Sequence, residues 1–164
     1  LFFFFYASNE VVVRKELWRS LRDFSPRNAS WVIFGDFNTV ADSREKRVGS
    51  KYSREAMQDF QLFMANKGLS DVGFSGSRFT WCSNWKGNRR IWSRLNYCLC
   101  NVQNLDTFPQ SSFLHLPRAL SDHSPWCWFI KLMARVGNIL SILVIRLKMT
   151  SLWMLFIPLG ANRS

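Results

Sequence analysis

Apolar and polar positions along the chain follow two alternating periods. Residues 2–6, four Phe and a Tyr, form an unbroken apolar run of strand length, which reads as a buried strand entered midway. Residues 10–24 then place Val13, Leu17, Leu21 and Phe24 on one helical face, with Arg14, Lys15, Arg19 and Arg22 turned elsewhere. Asn9 stands where an N-cap would, and Pro26 closes the region. Trp31 to Phe34 is a short apolar strand that stops abruptly at Gly35-Asp36-Phe37-Asn38. Residues 39–53 are polar and without period, so they read as a loop. A second amphipathic helix covers 54–66, with Met57, Phe60, Phe63 and Met64 inward and Gly68 at its C-terminal end.

From Gly73 the period shortens. Arg78 to Cys82 alternates like a strand, Lys86-Gly87-Asn88 supplies a turn, and Ile91 to Leu99 alternates again. A short helix is predicted over 101–108, a strand over 111–116, and a further strand from Trp126 to Ile130. Strands interleaved with helices predict a layered α/β (α+β) domain over residues 1–130. Residues 131–164 change character and form a divergent tail. Within it, 139–159 is apolar enough to raise a membrane helix, but Arg146 and Lys148 sit mid-stretch. Each would cost roughly 2.5–3.5 kcal/mol on insertion scales, which argues against a spanning segment.

Composition narrows the class. With 16% aromatic and 48% apolar residues, the chain has ample surface to bury, so disorder as its main state is excluded. Eight Gly and five Pro among 164 residues exclude collagenous sequence. The formal net charge of +11 points to a polyanionic partner, nucleic acid or an anionic membrane face. Cys82, Cys98, Cys100 and Cys127 lack paired CxxC spacing, and with His115 and His123 they build no soft-metal motif. They read as reduced thiols near a core, as in an intracellular protein. The apolar start has no basic segment before it and does not read as a signal peptide.

Two short motifs carry candidate chemistry. Asp36 and Asn38, two residues apart at a strand end, can face one pocket, where the carboxylate could hold a hard cation or a water. The same pair also suits a local Asx turn. Asp122-His123, before a strand, sets an acid beside an imidazole that titrates near neutrality and could act as a general base or phosphate binder. A solvated loop histidine is the alternative.

Taken in order, Tyr6-Ala7-Ser8-Asn9, Gly35-Asp36-Phe37-Asn38, Gly68-Leu69-Ser70-Asp71, Phe79-Thr80-Trp81, Trp92-Ser93-Arg94-Leu95 and Ser121-Asp122-His123-Ser124-Pro125 resemble the endonuclease/exonuclease/phosphatase superfamily. Over residues 2–130 they are similar to the endonuclease domains of plant LINE-type non-LTR retrotransposons, which stand upstream of a reverse transcriptase. The resemblance implies a deoxyribonuclease I-like two-sheet β-sandwich flanked by helices, here without the family's N-terminal half. It also implies Mg²⁺- (or Mn²⁺-) dependent hydrolysis of DNA, through contacts to the phosphate backbone and with no small-molecule cofactor. Asp36 and Asn38 match the pair that orients the water or metal, His123 the catalytic imidazole, and Asp122 a carboxylate of the metal site. Tyr6 and Asn9 match residues that approach the scissile phosphate, and Thr80 and Trp81 a segment near the nucleic acid, where Trp81 suits a core position as well as a base or sugar contact.

Two departures weaken the implied activity. The family's Arg-Leu/Ile-Asp motif reads Arg94-Leu95-Asn96 here, so Asn96 replaces the Asp that would pair with the imidazole. In the serine-protease triad such an exchange costs about 10⁴ in turnover. The family's metal-binding Glu also has no counterpart upstream of Tyr6. The sequence therefore predicts a retrotransposon-derived endonuclease domain, impaired or inactive, acting in the nucleus if on chromosomal DNA. A non-catalytic basic remnant that binds nucleic acid is the alternative, and a membrane-associated peptide centred on 139–159 a third.

Overall fold

The computed structural model describes residues 1–23, 29–49, 53–118, 121–136, 139–149 and 154–158. Phe24 and Pro26, expected to close the first helix, lie outside them.

Elements follow the predicted order. They are β1 (Phe2–Tyr6), α1 (Val11–Asp23), β2 (Val32–Asp36), β3 (Lys46–Arg47), α2 (Arg54–Asn66), β4 (Leu69–Asp71), β5 (Ser75–Gly76) and β6 (Trp81–Cys82), then β7 (Trp92–Ser93), β8 (Asn96–Asn101), α3 (Val102–Thr107), β9 (Ser112–His115), β10 (Trp126–Val136), β11 (Ile139–Met149) and β12 (Met154–Pro158). Inside the predicted loop 39–53, Asp42 caps a 3₁₀ turn at Ser43–Glu45 through a capping box, and β3 follows.

Three sheets form, ordered β1-β2-β8-β4, β12-β11-β10-β9-β5 and β3-β7-β6. The first is the centre of the molecule, because both of its faces are covered. On one face Ile33, Tyr97 and Leu99 pack with Trp18 of α1 and with Phe60 and Phe63 of α2. On the other, Val32, Phe34, Cys98 and Cys100 pack with Phe113, Trp126, Trp128 and Ile130 of the second sheet. Alternate residues of β2 and β8 thus serve two cores, which is why both strands are buried throughout. The four cysteines are free and buried.

β1 corrects one expectation. It pairs with β2 alone, in parallel, at the sheet edge. Phe2 is 52% exposed and Tyr6 62%, so the run is not a fully buried strand. An edge position leaves one flank of the strand without a neighbour, and the aromatic rings there are only partly covered.

On α1, Leu17 and Leu21 pack against the core as expected, but the most buried positions are others. Val13 is exposed, while Arg14 and Trp18, four residues apart, are buried. The indole takes the core slot by size, stacking 4.8 Å from Phe63, and draws Arg14 inward with it. The helix begins at Val11, two residues after the expected cap Asn9, and ahead of it the Ser8 hydroxyl accepts the Glu10 N–H. α2 matches its predicted bounds and turns Phe60 and Phe63 inward, and Gly68 (φ +57°) follows its end in the left-handed conformation that glycine tolerates.

In the stretch weighed as a membrane helix, the described residues 139–149 and 154–158 are extended. β10 runs across the expected boundary at residue 130 and pairs antiparallel with β11 along its length, from Trp126↔Met149 to Val136↔Ile139. No helix among the described residues is long and apolar enough to cross a membrane.

Candidate active site

The site is built where β1 and β2 end and the antiparallel β8 begins. Register places Tyr6, Asp36 and Asn96 side by side on β1, β2 and β8. Gly35 (φ +149°), a backbone angle side-chain-bearing residues rarely adopt, precedes Asp36. The chain then turns tightly. The Asn38 backbone N–H donates to Asp36 Oδ1 (2.9 Å), and Asn38 itself takes φ +47°. Its side-chain amide donates to the Ala7 carbonyl (2.6 Å), while the Ala7 N–H donates to the Asp36 carbonyl (2.7 Å). The Asx turn is therefore real, and it consumes one carboxylate oxygen of Asp36.

The other oxygen is what remains for chemistry. Asp36 Oδ2 is buried and has no hydrogen-bond partner, and His123 Nδ1 lies 3.4 Å from it. The imidazole side chain keeps 29% of its surface exposed, whereas that of Asp36 keeps 3%. Burial pushes the Asp36 carboxyl up to about 6, against the opposing pull of the Asn38 N–H, the His123 imidazole and the Arg14 guanidinium; the Asp122 charge adds to the rise. A carboxylate so raised is a stronger base than an ordinary aspartate.

The loop bearing Asp122 and His123 lies along β6 as though it were another strand. Residues 81 and 123 form an antiparallel bridge, the Cys82 N–H donates to the Asp122 carbonyl (2.9 Å), and the Ser124 N–H donates to the Thr80 carbonyl (2.6 Å). Asp122 Oδ2 accepts the Trp81 indole N–H (3.1 Å) and Oδ1 the Ser121 hydroxyl (3.4 Å).

Other expected residues are placed differently from one another. Tyr6 and Asn9 are exposed around the turn that follows β1. Thr80 is fully buried, and its hydroxyl accepts the N–H groups of Leu95 (2.8 Å) and Asn96 (3.1 Å). Thr80 therefore braces the start of β8 from within the fold. Asn96 is buried with its Oδ1 unpartnered, and the carboxylate that touches the imidazole is Asp36 across the ladder.

Sequence reasoning missed Arg14. Its guanidinium donates to the Ser8 (2.8 Å) and Asn9 (2.7 Å) carbonyls, bracing the turn between β1 and α1 beside Asp36. Its spacing of four from Trp18 was the available signal. Arg94 was likewise quoted only as part of a motif. It is buried, pairs with Glu45 (2.8 Å) and Asp71 (2.7 Å), and lies over the Phe74 and Tyr97 rings.

A profile of the Endonuclease/Exonuclease/phosphatase family matches residues 6–123, most of the chain, and the chain belongs to that family. Among solved structures it is similar to the endonuclease domain of TRAS1, a telomere-specific non-LTR retrotransposon, at 18% identity and a TM-score of 0.53. The match covers 79% of this chain and 55% of that domain, so this chain spans little more than half of the fold it shares. Comparison with curated proteins gives no match.

The family is generally dependent on a divalent metal. Asp36 Oδ2, buried and unpartnered, is a suitable hard donor, but both oxygens of Asp122 already accept hydrogen bonds. No group of three or more His, Cys, Asp or Glu able to hold an ion occurs among the described residues. They do not make a complete Mg²⁺ site, which requires near-octahedral oxygen geometry.

Proposed function

We propose that the Asp36–His123 edge is a phosphodiesterase site of a retrotransposon-derived DNA endonuclease, impaired in this chain. The observation that carries the reading is the contact between a buried, unpartnered carboxylate oxygen and a part-exposed imidazole at the end of a central strand. Nuclease-like function is also supported by the family and by the TRAS1 endonuclease neighbour. Asp36 accepts a proton from the attacking water as its oxygen bonds to phosphorus, the bond to the leaving sugar oxygen breaks, and a protonated His123 offsets the phosphate charge and gives that oxygen its proton. Asn38 keeps Asp36 in its turn, and Tyr6 and Asn9 stand where a phosphate backbone would pass. Asn96 withholds the charge expected beside the imidazole, and the described donors fall short of holding Mg²⁺ or Mn²⁺.

DNA is the partner this reading requires, and the nucleus its place of action on chromosomal DNA. One surface favours a binding role in its own right. Between β6 and β7, Arg89 lies 5.5 Å over the exposed Trp85 ring, and Arg90 and Arg118 lie 5.9 and 4.6 Å over Trp92. Cations held against aromatic faces suit phosphates and bases together. This supports the second reading, a basic nucleic-acid-binding remnant without catalysis.

The deciding experiment is relaxation of supercoiled plasmid by the full chain with Mg²⁺, with and without Asp36→Ala and His123→Ala. Weak nicking lost in both variants supports the endonuclease. Salt-dependent binding with no nicking supports the remnant. Nicking untouched by either substitution refutes the site.

A further inference from the structure

We propose that Trp81 is a positioning residue whose indole N–H fixes the Asp122 carboxylate at the candidate site, so that Trp81 acts through Asp122 and not through nucleic acid. The proposal rests on the Asp36–His123 edge being the reactive site.

Two backbone hydrogen bonds hold residues 122–124 against residues 80–82, Ser124 N–H to the Thr80 carbonyl and Cys82 N–H to the Asp122 carbonyl, and together they make the 81–123 bridge. Any residue at position 81 could sustain these. They set the path of the loop but leave the Asp122 side chain free to rotate. The Trp81 indole closes that freedom, donating to Asp122 Oδ2 at 3.1 Å, whereas the Ser121 hydroxyl reaches Oδ1 at a marginal 3.4 Å.

Trp81 is itself anchored. It pairs with Ser93 of β7 on one side and bridges to His123 on the other, and the residue is half-buried. Its indole N–H is committed to a carboxylate and so is not available to donate to nucleic acid. Phenylalanine would keep an aromatic ring at this position but lack the N–H, and the bond it would lose is charge-assisted and so stronger than a neutral one.

The test compares the full chain with Trp81→Phe, Trp81→Ala, Asp122→Asn and Asp122→Ala. In plasmid nicking, Trp81→Phe is expected to lower kcat about tenfold or more, the effect of removing a hydrogen bond to a charged group, with KM for DNA within about twofold. Added to Asp122→Asn, it should lower kcat no further, because the two residues act as one unit. The melting temperature of Trp81→Phe and its affinity for a fluorescein-labelled duplex without divalent metal should stay near wild type.

A second measurement needs neither activity nor a substitution at 81. Hydrogen exchange of the Trp81 indole N–H, followed by NMR, should be slow in the wild type and about tenfold faster in Asp122→Ala. Indole exchange at the free rate in the wild type overturns the proposal, as does a loss of duplex affinity of about tenfold in Trp81→Phe or Trp81→Ala. Wild-type nicking by Trp81→Phe, where Asp36→Ala abolishes it, also overturns it. Nicking insensitive to Asp36→Ala instead sinks the site reading, and the exchange result still decides what Trp81 does.

Discussion

His123 Nδ1 stands 3.4 Å from Asp36 Oδ2, although 87 positions of chain separate the two residues. Each arrives by a different route. Asp36 ends a strand buried on both faces, and His123 rides on a loop that runs beside β6. The pair joins a carboxylate that water cannot reach freely to an imidazole that water can reach, and the difference sets the chemistry open to each.

The first prediction follows from the burial of Asp36. Its folded-state value of about 6 lies above the ordinary 3.8, so the folded protein holds this proton more tightly than the unfolded chain does. Stability from Asp36 is therefore full below about pH 4 and is lost as pH rises through 6. Two pH units correspond to roughly 3 kcal/mol. Asp36→Asn keeps the acceptor for the Asn38 N–H and removes the buried charge. Urea unfolding should show it more stable than wild type by up to about 3 kcal/mol at pH 7.5, with the gain vanishing near pH 4. The same variant should lose nicking altogether. An equal gain at both pH values would mean that buried charge is not the cause.

His115 should act in the opposite direction. It is buried, stacks 4.6 Å from Phe74, and its Nδ1 meets the Ser77 carbonyl at 2.9 Å. Burial pulls its value down to about 4 from the ordinary 6.5, with the Arg94 charge adding to the fall. The unfolded chain thus takes up a proton first, and stability present above pH 6.5 is lost as pH falls toward 4. The loss amounts to roughly 3 kcal/mol. His115→Gln should flatten the acid limb of the unfolding profile between pH 6.5 and 4, leaving the rise from Asp36 protonation visible. A wild-type acid limb in that variant would count against this account.

The sequence carried the fold further than it carried the site. Helix α2 was legible because Phe60, Phe63 and Gly68 supply a stripe and a stop that agree, and the structure adds Ser53 as its cap. Asp36 and His123 could be named because motif residues at strand ends have few places to go. The layout of 78–99 was not legible, since alternation is the same whichever sheet a strand joins. β7 and β8 lie in separate sheets although only Arg94 and Leu95 divide them. Arg14 was read as outward because charge is usually solvated, and a guanidinium donating to the Ser8 and Asn9 carbonyls escapes that rule. The same limit hid the burial of Thr80, whose hydroxyl accepts two backbone N–H groups.

Arg94 gives a third prediction. Its guanidinium ties Glu45 beside β3 to Asp71 of β4 while buried between the Phe74 and Tyr97 rings. Arg94→Ala strands two carboxylates and should cost about 3–5 kcal/mol. Arg94→Lys should recover less than half of that, because an ammonium cannot make both planar contacts or stack between rings. Denaturant midpoints measure both. A loss below about 1 kcal/mol for Arg94→Ala would place the pair among ordinary surface bridges.

Asn96 tests the departure from the family motif. It lies across the ladder from Asp36 and is 4% exposed, so Asn96→Asp puts a second carboxylate beside one already raised. Two such groups cannot both ionise cheaply without a cation. The variant should be less stable than wild type at pH 7.5 by about 1–3 kcal/mol and nearly equal to it at pH 4.5. Nicking should rise little, because the described donors still fall short of a cation site. A large rise in Mg²⁺-dependent nicking from this single change would mean that charge beside His123, and not metal retention, is what the chain lacks.

The last prediction separates binding from cleavage. Lys86, Arg89 and Arg90 project from the β6–β7 connection around the exposed Trp85, and none of them touches Asp36 or His123 in the described contacts. Each cation that neutralises a phosphate should contribute about 0.9 to the slope of log affinity against log salt on duplex DNA. Replacing all three by Ala should therefore flatten the slope by about 2–3 and weaken duplex binding most at low salt. Trp85→Ala should instead weaken single-stranded DNA by about 1–3 kcal/mol with the slope unchanged, since stacking releases no counterions. Asp36→Ala should alter neither quantity. If the triple variant binds duplex with the wild-type slope, the phosphate contacts lie elsewhere on this basic chain, and the β6–β7 connection loses its place in both functional readings.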